Sequence, residues 1–344
     1  MTLRWRLAIA ATVLVFSIAA AVVFRIRHEL DTPYYQGDTG GVFVEIPKGE
    51  SSGAIAGLLR DAGVLRSKLP FILYVRWSDF SRRMKAGEYR FSTAASPKQV
   101  AARIVSGDVY YLSVTVPEGL TARETVELLA RNGIGDPARM QEELRSTDLI
   151  QDISPDARDL EGYLFPETYR FPRNVSSEAV IKRMVEEFRT RFEAIAARSP
   201  ARADWSPARV VTLASMIEKE VKAPEERPLV ASVLVNRLRT NMPLACDATI
   251  IYALKISGGF DGNLHKSDLS MNSPYNTYLY RGLPPGPIAN PGESALSAAL
   301  NPARTEYFYY VSRNDGTHHF SKDYRGHQLA VARYQKSKSR GRKE

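Results

Sequence analysis

The sequence predicts an α+β protein carried on a single N-terminal transmembrane helix, with a small β-α region next and a larger α+β domain after it. Three observations predict this. Leu7 to Phe24 is 18 residues without a charge; a strand-turn-helix pattern recurs at a constant offset of 70; and from Asp159 the chain changes to long helical patterns followed by a Pro/Gly-dense stretch and a short strand. With 344 residues, 44% of them apolar and 25% charged, the chain is long enough for about two cored domains. Its one cysteine, Cys246, excludes an intramolecular disulfide framework and a cysteine-only metal cage.

The 18 apolar residues make about 27 Å of helix, close to the roughly 30 Å of a bilayer's hydrocarbon. Thr12 and Ser17 are the polar residues in the run, and each can bond back to its own helix. A cleaved signal peptide is the alternative, because Ser17-Ile18-Ala19 offers small residues at a suitable spacing. The run continues five residues past that point, which favours a retained anchor. Two arginines flank each side, so the positive-inside rule is nearly balanced, and Glu29 and Asp31 mildly favour the bulk of the chain outside.

The formal charge of +9 invites a nucleic-acid hypothesis. Residues 1–28 hold Arg4, Arg6, Arg25 and Arg27 and no acid, while the segment 336–344 carries five bases against Glu344. Each end is therefore +4, and the body between them is +1. No nucleic-acid partner is expected from a neutral body with basic ends.

Glu29 to Gly41 has no apolar periodicity and reads as a linker. Val44-Glu45-Ile46-Pro47-Lys48-Gly49 then continues to Ile55, Leu58, Leu59 and Gly63, and Val114-Thr115-Val116-Pro117-Glu118-Gly119 continues the same way to Leu128, Leu129 and Gly133. Each copy reads as an alternating strand, a Pro-x-Gly turn, an amphipathic helix and a closing glycine. Lys85 to Phe91 alternates like a further strand, and Ser96-Pro97 starts another helix with a cap and a first-turn proline. Such units resemble the LysM-like module of peptidoglycan-associated proteins, with a generic α+β packing unit as the alternative.

Helical patterns follow over Ser177 to Ala197, Pro207 to Val221 and Glu226 to Thr240, with a strand at Tyr307 to Val311. No G-x-G-x-x-G, G-x-x-x-x-G-K-[ST], G-x-S-x-G, H-E-x-x-H or S-x-x-K occurs, which argues against nucleotide binding, serine acyl transfer and zinc proteolysis. His318, His319 and His327 lack metal-ligand spacing, so no metal and no cofactor is expected.

One helix carries a candidate acid. Val211, Ala214, Ser215 and Glu218 stand at i, i+3, i+4 and i+7, which puts Glu218 on the edge of the buried face. Desolvation there disfavours the carboxylate and suits a general acid. The alternative is a surface residue of the Glu218-Lys219-Glu220 end, paired with Lys222 at i+4.

The segments EGYLFPET from Glu161, ASMIEKE from Ala214, Glu226-Arg227, Asn236-Arg237-Leu238, SPYNTY from Ser273 and GLPPGPI from Gly282, then Asn290-Pro291, closely resemble the YceG-like (MltG) endolytic murein transglycosylases, in this order and over nearly the whole chain. Asp315-Gly316-Thr317-His318, Phe320-Ser321 and His327 match that family's terminal pattern. Two departures stand out. Ala245-Cys246-Asp247-Ala248-Thr249 replaces a usual Gln-Ser/Thr-Asp-Pro-Thr run, and Asn272 stands where an aspartate commonly precedes SPYNTY.

The resemblance implies that Glu218 is the catalytic acid/base and that Asp247, Thr249, Tyr275, Asn276, Tyr278 and His318 meet the glycan. Glu161 is either a further polar contact or a tether between helix and loop. It implies domains at 1–28 (cytoplasmic tip and anchor), 29–41 (linker), 42–158 (LysM-like region), 159–334 (transglycosylase catalytic domain) and 335–344 (basic tail). The expected activity cuts the MurNAc-GlcNAc bond within nascent glycan strands and leaves a 1,6-anhydro end, which would terminate strand elongation. Expected partners are peptidoglycan strands, peptidoglycan synthases and other cell-wall assembly proteins, with the enzyme in the inner membrane and its body outside the cytoplasm. The rival expectation is a non-catalytic membrane-anchored scaffold that binds peptidoglycan.

Overall fold

The computed structural model describes residues 3–199 and 205–335; the expected basic tail, Gln335 apart, lies outside the described residues. The chain forms two compact units, Met1–Tyr111 and Leu112–Glu344. The expected boundary at 158/159 therefore does not coincide with the division between them. The reason is visible in the strand pairing.

In the first unit, α1 (Leu3–Asp31) contains a 23-residue candidate span, Ile9–Asp31, long and apolar enough to cross a membrane. Between Ile9 and Phe24 its apolar side chains, among them Leu14, Phe16 and Phe24, are exposed, as a lipid-facing helix requires. The end of α1 is tied down. Ser67 donates to Glu29 at 2.5 Å and Lys98 pairs with Asp31 at 2.6 Å. The segment read as a linker is likewise fixed, by a bridge between Tyr34 and Ala95 and by the Gln36 N–H donating to the Gly63 carbonyl at 2.9 Å.

The unit continues as β1 (Val42–Ile46), α2 (Ser52–Asp61), α3 (Leu69–Trp77), β2 (Gly87–Phe91) and α4 (Pro97–Ser106). β1 and β2 pair antiparallel with Val44 opposite Tyr89. Their inner faces meet Ile55, Leu59, Phe71, Val75, Val100 and Ile104 in a core of their own.

The second unit begins with the same order: β3 (Leu112–Thr115), α5 (Ala122–Arg131), α6 (Pro137–Glu143), β4 (Thr168–Phe171) and α7 (Ser177–Ala197). β3 pairs antiparallel with β4, with Val114 opposite Tyr169. The likeness reaches single atoms. Gly49 and Gly119 sit at φ 84° and 79°, Gly63 and Gly133 both at 72°, a left-handed region that glycine enters without Cβ strain. Ser51 and Thr121 accept the backbone N–H three residues on, a cap that contributes about 1 kcal/mol. The Tyr89 hydroxyl donates to the Lys85 carbonyl and the Tyr169 hydroxyl to that of Phe165. The sequence repeat is thus one half of a duplicated β-α-α-β-α module. Because β3 pairs with a strand beyond residue 158, the second copy cannot be cut away from the catalytic region at that point.

After α7 come α8 (Pro207–Glu220), a 3-10 turn at Pro224–Glu226, α9 (Arg227–Arg239), α10 (Asp247–Ser257), a 3-10 turn at Lys266–Ser270, α11 (Glu293–Leu300), β5 (Tyr309–Ser312), β6 (His318–Ser321) and α12 (Tyr324–Tyr334). Every residue of α8 from Val210 to Ile217 is buried, with α9, α10 and α11 packed around it. Tyr163 and Phe188 meet edge-on at 5.1 Å between ring centres within the same core.

The EGYLFPE and GLPPGPI segments touch α8 at one point. Gly162 has φ 88°, and a Cβ there would stand 2.5 Å from Pro287 Cβ and 2.9 Å from Val211 Cγ1. Gly162→Ala combines backbone strain with overpacking and should cost roughly 2–4 kcal/mol. Thermal melting checks it; an unchanged midpoint would show that the two loops have room to separate.

Candidate active site

Helix α8 starts where Ser206 accepts the Arg209 N–H and Pro207 fills the first turn, and it ends where Val221 turns extended at φ −130°. Its buried middle brings the last turn out at the edge of the core. Successive residues there point about 100° apart, so Glu218, Lys219 and Glu220 face three different surroundings.

Glu218 faces α9 and the start of α11. Its Oε1 lies 2.7 Å from Arg227 Nη2, and its Oε2 accepts the Gly292 N–H at 3.0 Å. The side chains of Glu218 and Arg227 are 5% and 6% exposed, and Glu118, from the second Pro-x-Gly turn, sits 3.3 Å from the same guanidinium. Burial raises the Glu218 carboxyl above the ordinary range, although the Gly292 N–H and the Arg227 charge pull against it. The expected pairing with Lys222 is replaced by this buried ion pair.

Glu220 faces the opposite way, toward the start of α10 and β5. The Cys246 thiol donates to its Oε1 at 2.8 Å and the Tyr310 hydroxyl to its Oε2 at 3.0 Å. Burial raises its carboxyl above the ordinary range, against the pull of these two bonds and with a further push from Asp247. Glu220 also lines a cavity of about 180 Å³ with Asp247, Tyr252, Thr121, Lys219 and Lys255; Glu218 does not.

These donor sets separate the two acids. A guanidinium and a backbone N–H only donate, so a proton on Glu218 has no acceptor among these partners. A tyrosine hydroxyl and a thiol can accept as well as donate, so Glu220 can carry a proton and keep its partners. Of the two acids, Glu220 is thus the one whose bonded partners also accommodate a proton. A larger hollow of about 1130 Å³ between α9 and the 301–307 segment holds one acid, Glu306, paired with Lys322. It offers no buried carboxyl for acid catalysis.

The other expected site residues divide into two groups. Asp247, exposed as the first residue of α10, accepts from the half-buried Tyr278 hydroxyl at 2.5 Å. Tyr275 packs against Tyr252, the cavity's aromatic wall, with the rings tilted by 55° and their centres 4.9 Å apart. Asp247 and Tyr252 line the cavity with Glu220, and Tyr278 and Tyr275 are held against those two. Thr249 and Asn276 are fully buried. The Thr249 hydroxyl donates to the Cys246 carbonyl at 2.7 Å, and the Asn276 amide donates to the Leu269 and Met271 carbonyls while its oxygen accepts the Tyr278 N–H. Both amide and hydroxyl are spent on bonds within the loop.

His318 Nδ1 lies 2.7 Å from Glu226, with its ring edge-on to Tyr310, one shell behind Glu220. Glu161 is 6% exposed below the cavity, accepting the Ala122 N–H at 2.9 Å and the Tyr252 hydroxyl at 3.4 Å. Of the two roles open to it, the tether is the one these bonds describe. Asn290 knits the same region, giving its amide to Leu120 and taking the Leu164 N–H.

Glu220, Cys246 and Tyr310 were missed because their contact joins residues 26 and 90 positions apart. The one available signal was the second acid of Glu-Lys-Glu, on the same helix end.

Over residues 44–333 the chain matches the YceG-like family. It is 32% identical over 314 residues to the endolytic murein transglycosylase of Bacillus subtilis (strain 168), covering 87% of this chain and 86% of that one. To the endolytic murein transglycosylase of Streptococcus pneumoniae serotype 2 (strain D39 / NCTC 7466) it is 26% identical over 331 residues, 86% of this chain but 59% of that longer relative. The crystal structure of a putative YceG-like protein from Listeria monocytogenes superposes with a TM-score of 0.58 at 30% identity, covering 85% of this chain and 99% of the other. A match of this extent, in sequence and in fold, makes the chain a member of the YceG-like family.

Proposed function

We propose that this protein is an endolytic murein transglycosylase and that Glu220 is its acid/base. The observation that carries the assignment is a carboxyl that lines a cavity, is raised by burial and has no cation bonded to it. A glycan strand laid across Asp247, Tyr252, Tyr275 and Tyr278 would present its glycosidic oxygen to protonated Glu220. As the C1–O bond breaks, Glu220 gives up its proton to the leaving oxygen. The C6 hydroxyl of the same N-acetylmuramic acid attacks C1, and Glu220, now a carboxylate, takes that hydroxyl's proton. The products are a new GlcNAc end and a 1,6-anhydro end, with the acid restored and no water consumed. Intramolecular attack needs no second carboxylate as nucleophile.

The apolar stretch of α1 would hold the enzyme in the cytoplasmic membrane with the rest of the chain outside, where nascent strands and the synthases that make them are found. The LysM-like reading of residues 42–158, with glycan binding by that region, is part of this proposal. The scaffold reading is disfavoured by a buried carboxyl, raised above its ordinary range, lining the cavity.

Digesting purified strands with the detergent-solubilised protein and weighing the products tests the reaction. Internal fragments lacking one water at the cut end are expected. Fragments with ordinary reducing ends would instead show water to be the attacking group and the enzyme to be a hydrolase; intact strands would support the scaffold.

A further inference from the structure

The Cys246 thiol is one of two groups bonded to the carboxyl of Glu220. The residue's backbone is held independently of that bond. The Cys246 N–H donates to Thr277 Oγ1 at 3.0 Å, and its carbonyl accepts from Thr249. The side chain is therefore presented to Glu220 by a fixed loop, 1% exposed, and burial keeps the thiol protonated well above its ordinary range. A buried thiol that cannot ionise can act on Glu220 only through the hydrogen bond it gives.

We propose that Cys246 is a positioning residue for the transglycosylase acid: as a weaker donor than a hydroxyl, its thiol orients the Glu220 carboxyl yet leaves it protonated at a pH where a serine would leave it ionised. The inference rests on Glu220 being the acid/base. Hydrogen bonds given to a carboxylate favour its charged form, and the stronger the donor the larger the effect. S–H is a weak donor and O–H a strong one. The other titratable groups facing Glu220 are Tyr310 from β5, Asp247 and Lys255 from α10, His318 from β6 and Tyr278 from the 273–278 segment, with Lys219 beside it on α8. The Tyr310 hydroxyl, like the thiol, is kept protonated by burial. His318 is bonded to Glu226 rather than to Glu220. None of these changes when position 246 is substituted, so Cys246 variants isolate one bond.

The test is the pH profile of strand cleavage by the full chain, followed on the alkaline side where the acid loses its proton. Cys246→Ser should move that limb down and Cys246→Ala should move it up, each by about half to one pH unit, with Cys246 between them. Tyr310→Phe, which removes the other donor, should move the limb up as well. Three coincident limbs, or the reverse order, would overturn the role of the thiol. Where Cys246→Ser loses its fold, the alanine limb alone decides: an unshifted limb overturns the proposal. Glu220→Gln separates this from the underlying assignment, since full activity in that variant overturns the acid itself, whereas an inactive Glu220→Gln with coincident limbs overturns only the thiol's part.

Discussion

Glu220→Gln should reduce strand cleavage by about 10²–10⁴-fold, the range that a positioned acid/base supplies, and leave the fold intact. Glutamine keeps an acceptor for Tyr310 or Cys246 and its amide can give to the other, so both partners stay satisfied. Melting should be unchanged or raised, because burial already favours the neutral form that the amide imitates. Glu218→Gln should behave in the opposite way. It removes the anion bonded to the buried Arg227 and leaves Glu118, 43% exposed, as that cation's remaining acid. Removing one partner of a buried pair costs about 3 kcal/mol or more. For a unit of this size that is roughly a 6–12 °C fall in melting temperature. Circular dichroism melts read beside product yields decide the matter. A Glu218 variant that melts normally but cannot cleave, beside an active Glu220 variant, would return the acid to Glu218.

The contrast between these two glutamates marks how far the sequence carried. Helical periodicity correctly put Glu218 at the edge of a buried face, since Val211, Ala214 and Ser215 on the same stripe are all fully buried. Burial, however, is shared by acids that hold a proton and acids that hold a cation. The choice depends on Arg227 and Cys246, which come from other elements. Local signals did better. Ser176 and Ser206 cap the helices that their spacing predicts, and those helices run within a residue or two of the expected bounds. The 70-residue repeat was legible because Pro-x-Gly turns leave φ > 0 glycines in register. Its second half was not. Ten extra residues before β4 change the offset to 80, so Tyr89 answers to Tyr169 and the cap Ser96 to Ser176. A search at one fixed offset stops there, and the boundary then falls inside a folded unit. Thr249 and Asn276 show the same limit at the site. Residue type suited them to a sugar, but each is committed to backbone partners that only the folded loop supplies.

Glu161→Gln should stabilise the protein, and by an amount that grows with pH. Burial pushes the Glu161 carboxyl up to about 8, against the pull of the Ala122 N–H and with Asp159 and Glu124 adding to the rise. The ordinary value for the residue is 4.5. Below the ordinary value both folded and unfolded chains hold the proton, and this group's contribution is complete. Between 4.5 and about 8 the unfolded chain releases the proton while the folded chain keeps it, so stability falls as pH rises. Above about 8 both are ionised and the loss levels off. At about 1.4 kcal/mol per pH unit, the loss reaches about 3 kcal/mol by neutral pH. Glutamine cannot ionise, its oxygen can keep the Ala122 N–H, and its amide can give to the Tyr252 oxygen. Melts between pH 5 and 9 should show the variant and the parent diverging through neutrality and running parallel beyond about pH 8. A constant difference would mean that Glu161 is already ionised in the fold. Cleavage rates in the same samples separate the two roles that the sequence left open. A tether beneath the cavity leaves kcat/KM within a few fold, whereas a side chain that contacts the glycan loses a charge-dependent hydrogen bond, about tenfold or more.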